Sequence, residues 1–306
     1  MHAILALATS AVHTLAGASF GALAIAVALH LCKVGVEARS WHGIVTHAHP
    51  ASRIRFRTTL GAFAGAIGAN AVLPARVGEA LRLGIMRRRV EGSTVGTIAG
   101  TIVLETGIEF AFGLVVIGAL LAAGRSIGPF GAPLAFAAHP AVIAAIMAGC
   151  LVGAVVCFAL RRRVSRLASS LARGMSVVRS PRTLFRTVLV WKLLAWTFRF
   201  AAVYFFLAAF HVGATMWLVL LVVVAQNLAG LLPLAPGSAG TQQAVLALAL
   251  AGTVGMGAIV GFGVGMQVAT ALADVVIGIV AVALVSSWSD VRDALRPARR
   301  RLAPAA

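Results

Sequence analysis

The chain has 306 residues, of which 60% are hydrophobic and 11% are charged, and its mean hydropathy is +0.99. Because soluble domains carry about 25% charged residues, this composition excludes an ordinary soluble enzyme and indicates a helical protein that crosses a membrane several times. The formal net charge of +18 comes from Arg blocks that stand between apolar runs. Such blocks follow from the positive-inside rule and from attraction to anionic lipids, so we expect no nucleic-acid partner.

The first part of the chain alternates long and short apolar runs. Residues 3–36 form a long run, and the polar stretch 37–57 is predicted to be a loop. Residues 58–90 combine a short apolar piece with a basic helix, and both of their flanks are strongly basic. The simplest interpretation is a re-entrant hairpin that enters and leaves from the cytoplasm. Residues 93–123 are long enough to cross the membrane.

The later part of the chain is predicted to repeat this order. Residues 140–160 form a connecting span, and a basic, amphipathic segment follows it at the cytoplasmic surface. Residues 183–210 cross the membrane, and residues 214–252 form a second hairpin whose uncharged flanks indicate entry from outside. Residues 256–286 cross back.

The predicted fold is an all-α polytopic membrane protein with about five full spans and two re-entrant or broken helix pairs. Span, hairpin and span occur twice with opposite orientation, as in the inverted repeats of many transporters. If the hairpin arms cross the membrane completely, the number of spans rises and the symmetry argument weakens. The predicted units are a first repeat over 1–123 with hairpin 58–90, a connector span and cytoplasmic amphipathic segment over 124–182, a second repeat over 183–286 with hairpin 214–252, and a basic cytoplasmic tail over 287–306.

Two breaks in the apolar sequence, within 70–79 and 232–243, share one spacing between Pro and Gly. A broken backbone at membrane depth is tolerated only where protein or a water-lined cavity satisfies it, and a matched pair of breaks indicates a transport site. The expected hairpin hinges are Pro74, Gly78, Pro236, Gly237 and Gly240.

Several ionisable residues fall inside predicted spans or hairpins, where an unpaired charge costs a few kcal/mol. Arg76 and Glu79 either form a structural salt bridge or bind a lipid phosphate, with Arg76 at a helix N-terminus. Glu105 and Glu109 share one helix face and are either a proton- or cation-coupling site or the partners of nearby cations. We favour the second interpretation, because structural networks also perturb pKa values.

The span 183–210 carries Lys192, Trp196 and Arg199 on one face. Asp274, Glu105 or Glu109 are their expected partners, and a lipid phosphate is the functional alternative. Neutral amides surround the second break and either join helices or line a head-group path: Gln226, Asn227, Gln242, Gln243 and Gln267. The group formed by His42, His47, His49 and Glu37 matches no recurrent metal-binding spacing, and we expect neither a metal nor a cofactor.

Three motifs carry a family resemblance. The first is Asn70, Leu73, Pro74, Arg76, Gly78, Glu79 and Arg82. The second is Glu105 followed by Thr106 and Glu109, where the family has Glu-Arg-x-x-Asp. The third is Pro236, Gly237, Ser238, Gly240 and Gln243, where the family has Pro-Gly-Gly-x-Gly-x-x-Glu. Over roughly residues 20–286 the chain resembles the transmembrane domain of lysylphosphatidylglycerol synthetases and their stand-alone, flippase-like relatives.

The resemblance implies the translocase-like half of such proteins without the soluble synthase domain. We therefore expect a multi-pass protein of the bacterial inner (cytoplasmic) membrane, with basic loops and C-terminus in the cytoplasm. It is expected to be a lipid translocase or transporter for an anionic or phosphate-containing amphiphile, such as an aminoacylated phospholipid, a glycolipid or a polyprenyl-linked sugar. The alternatives are a membrane enzyme using Glu79 or Glu105 and a membrane subunit of a separate synthase; a homodimer also stays open.

The residues expected to bind the substrate are Asn70, Arg76, Glu79, Arg82, Lys192, Arg199 and Gln243. Those expected to form a coupling or charge network are Glu105, Glu109 and Asp274.

Overall fold

The computed structural model describes residues 16–73, 77–122, 161–230, 241–250 and 254–285. Every regular element in these ranges is helical. The helices are α1 Phe20–Ala48, α2 Phe56–Val72, α3 Val77–Arg89, α4 Val95–Ala122, α5 Arg161–Gly174, α6 Pro181–Ala209, α7 Met216–Gly230, α8 Thr241–Ala249 and α9 Met256–Val285.

Four of the described helices, α1, α4, α6 and α9, are long and apolar enough to cross a membrane. They correspond to the spans predicted in 3–36, 93–123, 183–210 and 256–286. The protein is therefore an integral membrane protein, and its described part is all-helical. The connecting span predicted at 140–160 and the tail 287–306 lie outside the described residues.

The loop predicted for residues 37–57 is wrong over most of its length, because α1 continues through it and ends only at residue 48. The hydroxyl of Ser40 donates to the Val188 carbonyl oxygen of α6 at 3.2 Å. The indole Nε1 of Trp41 donates to the Thr101 hydroxyl of α4 at 3.1 Å. Since neighbouring helices satisfy these polar groups, polarity in this segment does not indicate a loop.

Two pairs of shorter helices, α2 with α3 and α7 with α8, are packed against each other. In the first pair the Gly78 N–H donates to Asn70 Oδ1 at 2.8 Å. A Cβ atom at Gly78 would overlap the Ala66 carbonyl oxygen, so this close helix crossing needs glycine. The predicted hinges at the two tips lie outside the described residues: Pro74, Pro236, Gly237 and Gly240.

The helices bury two apolar clusters with polar side chains between them. Along α6, Val188 belongs to one cluster and Trp196 to the other. Along α1, the corresponding members are Val34 and Ala26. Along the four long helices, ionisable residues lie close to the positions where membership changes from one cluster to the other: His30 and Lys33 on α1, Glu105 and Glu109 on α4, Lys192 on α6, and Asp274 on α9.

Candidate functional site

Three side chains of α6 converge on one carboxylate of α4. Lys192 Nζ lies 2.9 Å from Glu109 Oε2, and Trp196 Nε1 donates to the same oxygen at 3.3 Å. Arg199 Nη1 lies 3.0 Å from Glu109 Oε1. Positions 192, 196 and 199 fall on one face of a helix, so their spacing in the sequence brings the three donors to Glu109.

The other carboxylate of α4, Glu105, joins α6 to α3. Lys192 Nζ lies 2.7 Å from Glu105 Oε1, and Arg82 Nη1 lies 3.3 Å from Glu105 Oε2. Lys192 is completely buried, with 0% of its surface exposed. Arg82 Nη1 also lies 3.5 Å from Glu79 Oε2. Lys192 therefore bridges both carboxylates of α4.

Arg82 is held by aromatic faces as well as by carboxylates. Its Cζ atom lies 3.6 Å from the centroid of the Trp41 ring and 4.6 Å from that of Phe63. Its Nε and Nη2 atoms are buried and have no hydrogen-bond partner in the described part of the chain. Cation–π attraction to two rings compensates the guanidinium for this loss of hydrogen bonds.

We call this group the charge network, formed by three carboxylates and three cations: Glu79, Glu105, Glu109, Arg82, Lys192 and Arg199. Its formal charges balance. Ions buried at membrane depth are tolerated when they pair with one another, so the network stabilises the contact of α3, α4 and α6.

A polar cavity of about 340 Å³ adjoins the charge network at Arg199. Arg199 Nη1 donates to Asn227 Oδ1 at 3.2 Å, and Arg199 Nη2 donates to Gln226 Oε1 at 3.3 Å. The cavity lies among α1, α2, α6, α7, α8 and α9, and its polar lining includes His30, Asn70, Arg199, Gln226, Gln242 and Asp274.

The carboxylate of Asp274 does not join Lys192 or Arg199 but pairs with a histidine of α1. His30 Nε2 lies 2.8 Å from Asp274 Oδ1. Sequence reasoning missed His30, although this residue lies inside the apolar run 3–36. The available signal was an ionisable residue in an apolar run, which in a membrane protein marks a functional candidate.

A second, apolar groove of about 420 Å³ lies between α2 and α9. Small residues let the two helices approach closely: a Cβ atom on Gly68 would come within 3.0 Å of Gly278 Cα. The groove continues past them along Val72 and Leu73 on one side and Ile279 on the other.

The structure distributes the predicted substrate-binding residues between two places. Asn70 and Arg199 line the cavity, and Gln243 Nε2 donates to Gln267 Oε1, which also faces it, at 2.8 Å. Glu79, Arg82 and Lys192 belong to the charge network, and Arg76 lies outside the described residues.

The histidines weighed as a metal site contact different helices. His42 Nδ1 lies 2.9 Å from the Thr59 hydroxyl of α2. His49 Nε2 lies 3.2 Å from the Thr97 hydroxyl of α4. The His42 and His49 imidazoles therefore each contact a different hydroxyl.

Comparison with protein families finds one whose model matches residues 3–278, described as the lysylphosphatidylglycerol synthase TM region. Comparison with curated proteins and with solved structures finds no match. The family match spans almost the whole chain and confirms the resemblance based on the three motifs. The chain belongs to the lysylphosphatidylglycerol synthase TM region family.

Proposed function

We propose that this protein is a lipid translocase that moves a lipid with a phosphate-containing head group between the two leaflets. The observation that carries the proposal is the polar cavity at mid-helix level among the candidate spans, with the Arg199 guanidinium in its lining. Polar groups at membrane depth need water or a polar ligand. A lipid-related family supports a lipid as that ligand.

Arg199 is the proposed principal contact of the phosphate, because a guanidinium binds phosphate oxygens with two parallel hydrogen bonds. Asn70 and Gln242, which come from the segments that flank the two breaks, add neutral hydrogen-bonding groups. Arg76 and Gln243 remain proposed contacts. Arg76 immediately precedes α3, where backbone N–H groups at the helix N-terminus also favour an anion.

The rest of the charge network has a proposed positioning role. Glu109 accepts from Arg199 at 3.0 Å, and Lys192 fixes Glu109 from the other side at 2.9 Å. Glu105 and Arg82 hold Lys192 and α3 in turn. Of the charge network only Arg199 lines the cavity, so in this proposal the other members set the direction of Arg199 rather than bind the lipid.

The groove between α2 and α9 is proposed to hold an acyl chain while the head group occupies the cavity. α2 takes part in both: Ile67 and Ala71 face the cavity, and Gly68 and Val72 face the groove. An amphiphile whose head group enters on one side of α2 and whose chain lies on the other matches this division of polar and apolar surface.

The proposed mechanism uses an inverted repeat with two re-entrant hairpins. A long helix, a packed pair and a long helix occur in α1 to α4 and again in α6 to α9. α1 and α6 are also antiparallel neighbours, since the Ser19 N–H donates to the Ala209 carbonyl oxygen at 2.8 Å. Rocking of one repeat against the other would expose the cavity to each leaflet alternately.

The proposal is tested with purified protein in vesicles that contain head-group-labelled phosphatidylglycerol. A membrane-impermeant quencher reports the fraction of label that has changed leaflet. Arg199→Gln and Gln242→Leu are expected to slow translocation about tenfold, the effect of losing about 1.4 kcal/mol. Arg173→Gln, on the exposed side of α5, is the matched control and keeps the wild-type rate. Wild-type translocation rates in both cavity variants would show that the cavity is not the lipid site.

A second candidate is a membrane subunit that works with a separate lipid-modifying synthase. The specific observation in its favour is the family description, which names a synthase. Lipid analysis of a deletion strain separates the two: a missing lipid species favours the synthase subunit, and an unchanged lipid pool with altered leaflet distribution favours the translocase. Co-purification of a synthase would identify the partner.

A further inference from the structure

The pair formed by His30 and Asp274 stands apart from the charge network. The two side chains come from α1 and α9, are each 15% exposed and both line the cavity. Their 2.8 Å contact therefore lies on the wall of the proposed head-group site rather than behind it.

The pairing partner distinguishes Asp274 from the other acidic residues of the described spanning helices. Glu37 pairs with Lys33, and Glu105 and Glu109 both pair with Lys192. Lysine and arginine keep their charge across the physiological pH range, whereas histidine gains or loses a proton within it. Within the described spans, Asp274 is the carboxylate whose partner is a histidine.

One proton changes the charge that this pair presents to the cavity. With a neutral imidazole donating Nε2–H to the carboxylate, the pair carries one negative charge. A proton taken from water by the other ring nitrogen forms an imidazolium, and the pair becomes neutral. Among the residues that the structure describes, the other charged groups in the cavity lining are Lys33 on α1 and Arg199 on α6, which pair with Glu37 and Glu109. The polar side chains that complete the described lining are neutral: Asn70 on α2, Gln226 on α7, Gln242 on α8, and Gln267 and Thr270 on α9.

We propose that His30 and Asp274 form a proton-binding site that couples proton uptake to the entry of the lipid phosphate. A negative pair repels an anionic head group held by Arg199 in the same cavity, and a neutral pair does not. By linkage the bound anion in turn favours the protonated pair, so proton and lipid bind cooperatively. This inference rests on the proposed lipid site and adds its energy coupling.

The test measures translocation and equilibrium binding of labelled phosphatidylglycerol at mildly acidic and mildly alkaline pH. For the wild-type protein we expect tighter binding and faster translocation at acidic pH, by between about 5-fold and 150-fold. Asp274→Asn and His30→Gln should remove this pH dependence. The His30 variant keeps a side-chain N–H for Asp274 and serves if the Asp274 variant folds poorly. His47→Gln, the same change on α1 away from the cavity, is the matched control and should behave as the wild type.

The outcomes separate this inference from the translocase itself. If lipid moves at rates that do not depend on pH, or if both variants keep the wild-type pH dependence, the coupling site is wrong and the translocase stands. If no lipid moves at any pH, the translocase is wrong, and equilibrium binding then decides: pH-dependent binding that His30→Gln abolishes supports the coupled site, and pH-independent binding overturns it.

Discussion

The charge network and the His30–Asp274 pair differ in what holds their carboxylates. In the network, Glu105 and Glu109 share the permanently charged and fully buried Lys192. In the cavity, Asp274 has an imidazole as its partner. The comparison teaches that an ionisable residue at membrane depth has two uses. Pairs with lysine or arginine hold helices together, whereas the proposed role of the His30–Asp274 pair is to change its charge as a lipid enters the cavity.

Replacing Lys192 tests the charge network and is expected to have the largest effect on stability. Lys192→Met leaves Glu105 and Glu109 close together without the cation between them. Because removing one partner of a buried ion pair leaves an uncompensated charge, we expect the free energy of unfolding to fall by about 3–5 kcal/mol. Denaturant titration in detergent, followed by tryptophan fluorescence, measures it.

A double variant is the control for this prediction. Lys192→Met combined with Glu105→Gln removes the cation and one of its carboxylates together. It should lose less stability than the sum of the two single variants, because the residues act as one network. Strictly additive losses would contradict a network centred on Lys192.

Asn70 connects the cavity to the first helix pair, and its replacement should have an intermediate effect. Asn70→Ala leaves the partly buried Gly78 N–H without its acceptor, which costs about 1–2 kcal/mol. Asn70→Ser keeps a neutral oxygen acceptor near the same position without adding a charge and should recover part of that stability. Equal losses in both variants, measured by the same titration, would show that this hydrogen bond does not hold α2 and α3 together.

The sequence predicts the members of the charge network better than it predicts their partners. The spacing of Lys192, Trp196 and Arg199 gives one helix face, and that of Glu105 and Glu109 gives another. Which carboxylate each cation contacts depends on how α4 and α6 pack, and no single-chain pattern contains that information. Because the sequence does not show this packing, it left Asp274, Glu105 and Glu109 as equal candidates for partners of Lys192 and Arg199.

The errors on α1 have a related cause. Residues 37–48 were predicted to be a loop because they are polar, but Ser40 and Trp41 use their polar groups to bind other helices. His30 lies inside the predicted run 3–36 but was not singled out as an ionisable residue. The apolar runs predict the long helices correctly, because length and composition alone define a span.

Replacing Asp274 tests the His30–Asp274 pair and should have little effect on the free energy of unfolding. In Asp274→Asn the amide oxygen can still accept a hydrogen bond from the His30 imidazole. We therefore expect the free energy of unfolding to fall by less than about 1 kcal/mol, although the pH dependence of transport is lost. A loss as large as that of Lys192→Met would show that both pairs are structural and would remove the contrast between them.

His49 gives the smallest expected effect and separates pH effects on stability from pH effects on transport. Burial next to α4 lowers the pKa of the His49 imidazole below its ordinary value near 6.5, and its hydrogen bond to the Val45 carbonyl oxygen offsets this only in part. The unfolded chain therefore binds more protons than the folded protein just below that value. The contribution of His49 to stability should be complete above about pH 6.5 and disappear as the pH falls through the lowered pKa. The free energy of unfolding of the wild type minus that of His49→Gln, measured across this pH range, should shrink toward acid. Transport by the His49 variant should still be faster at acidic pH, as expected for the wild type. A difference that grows toward acid would reverse the sign of the pKa shift.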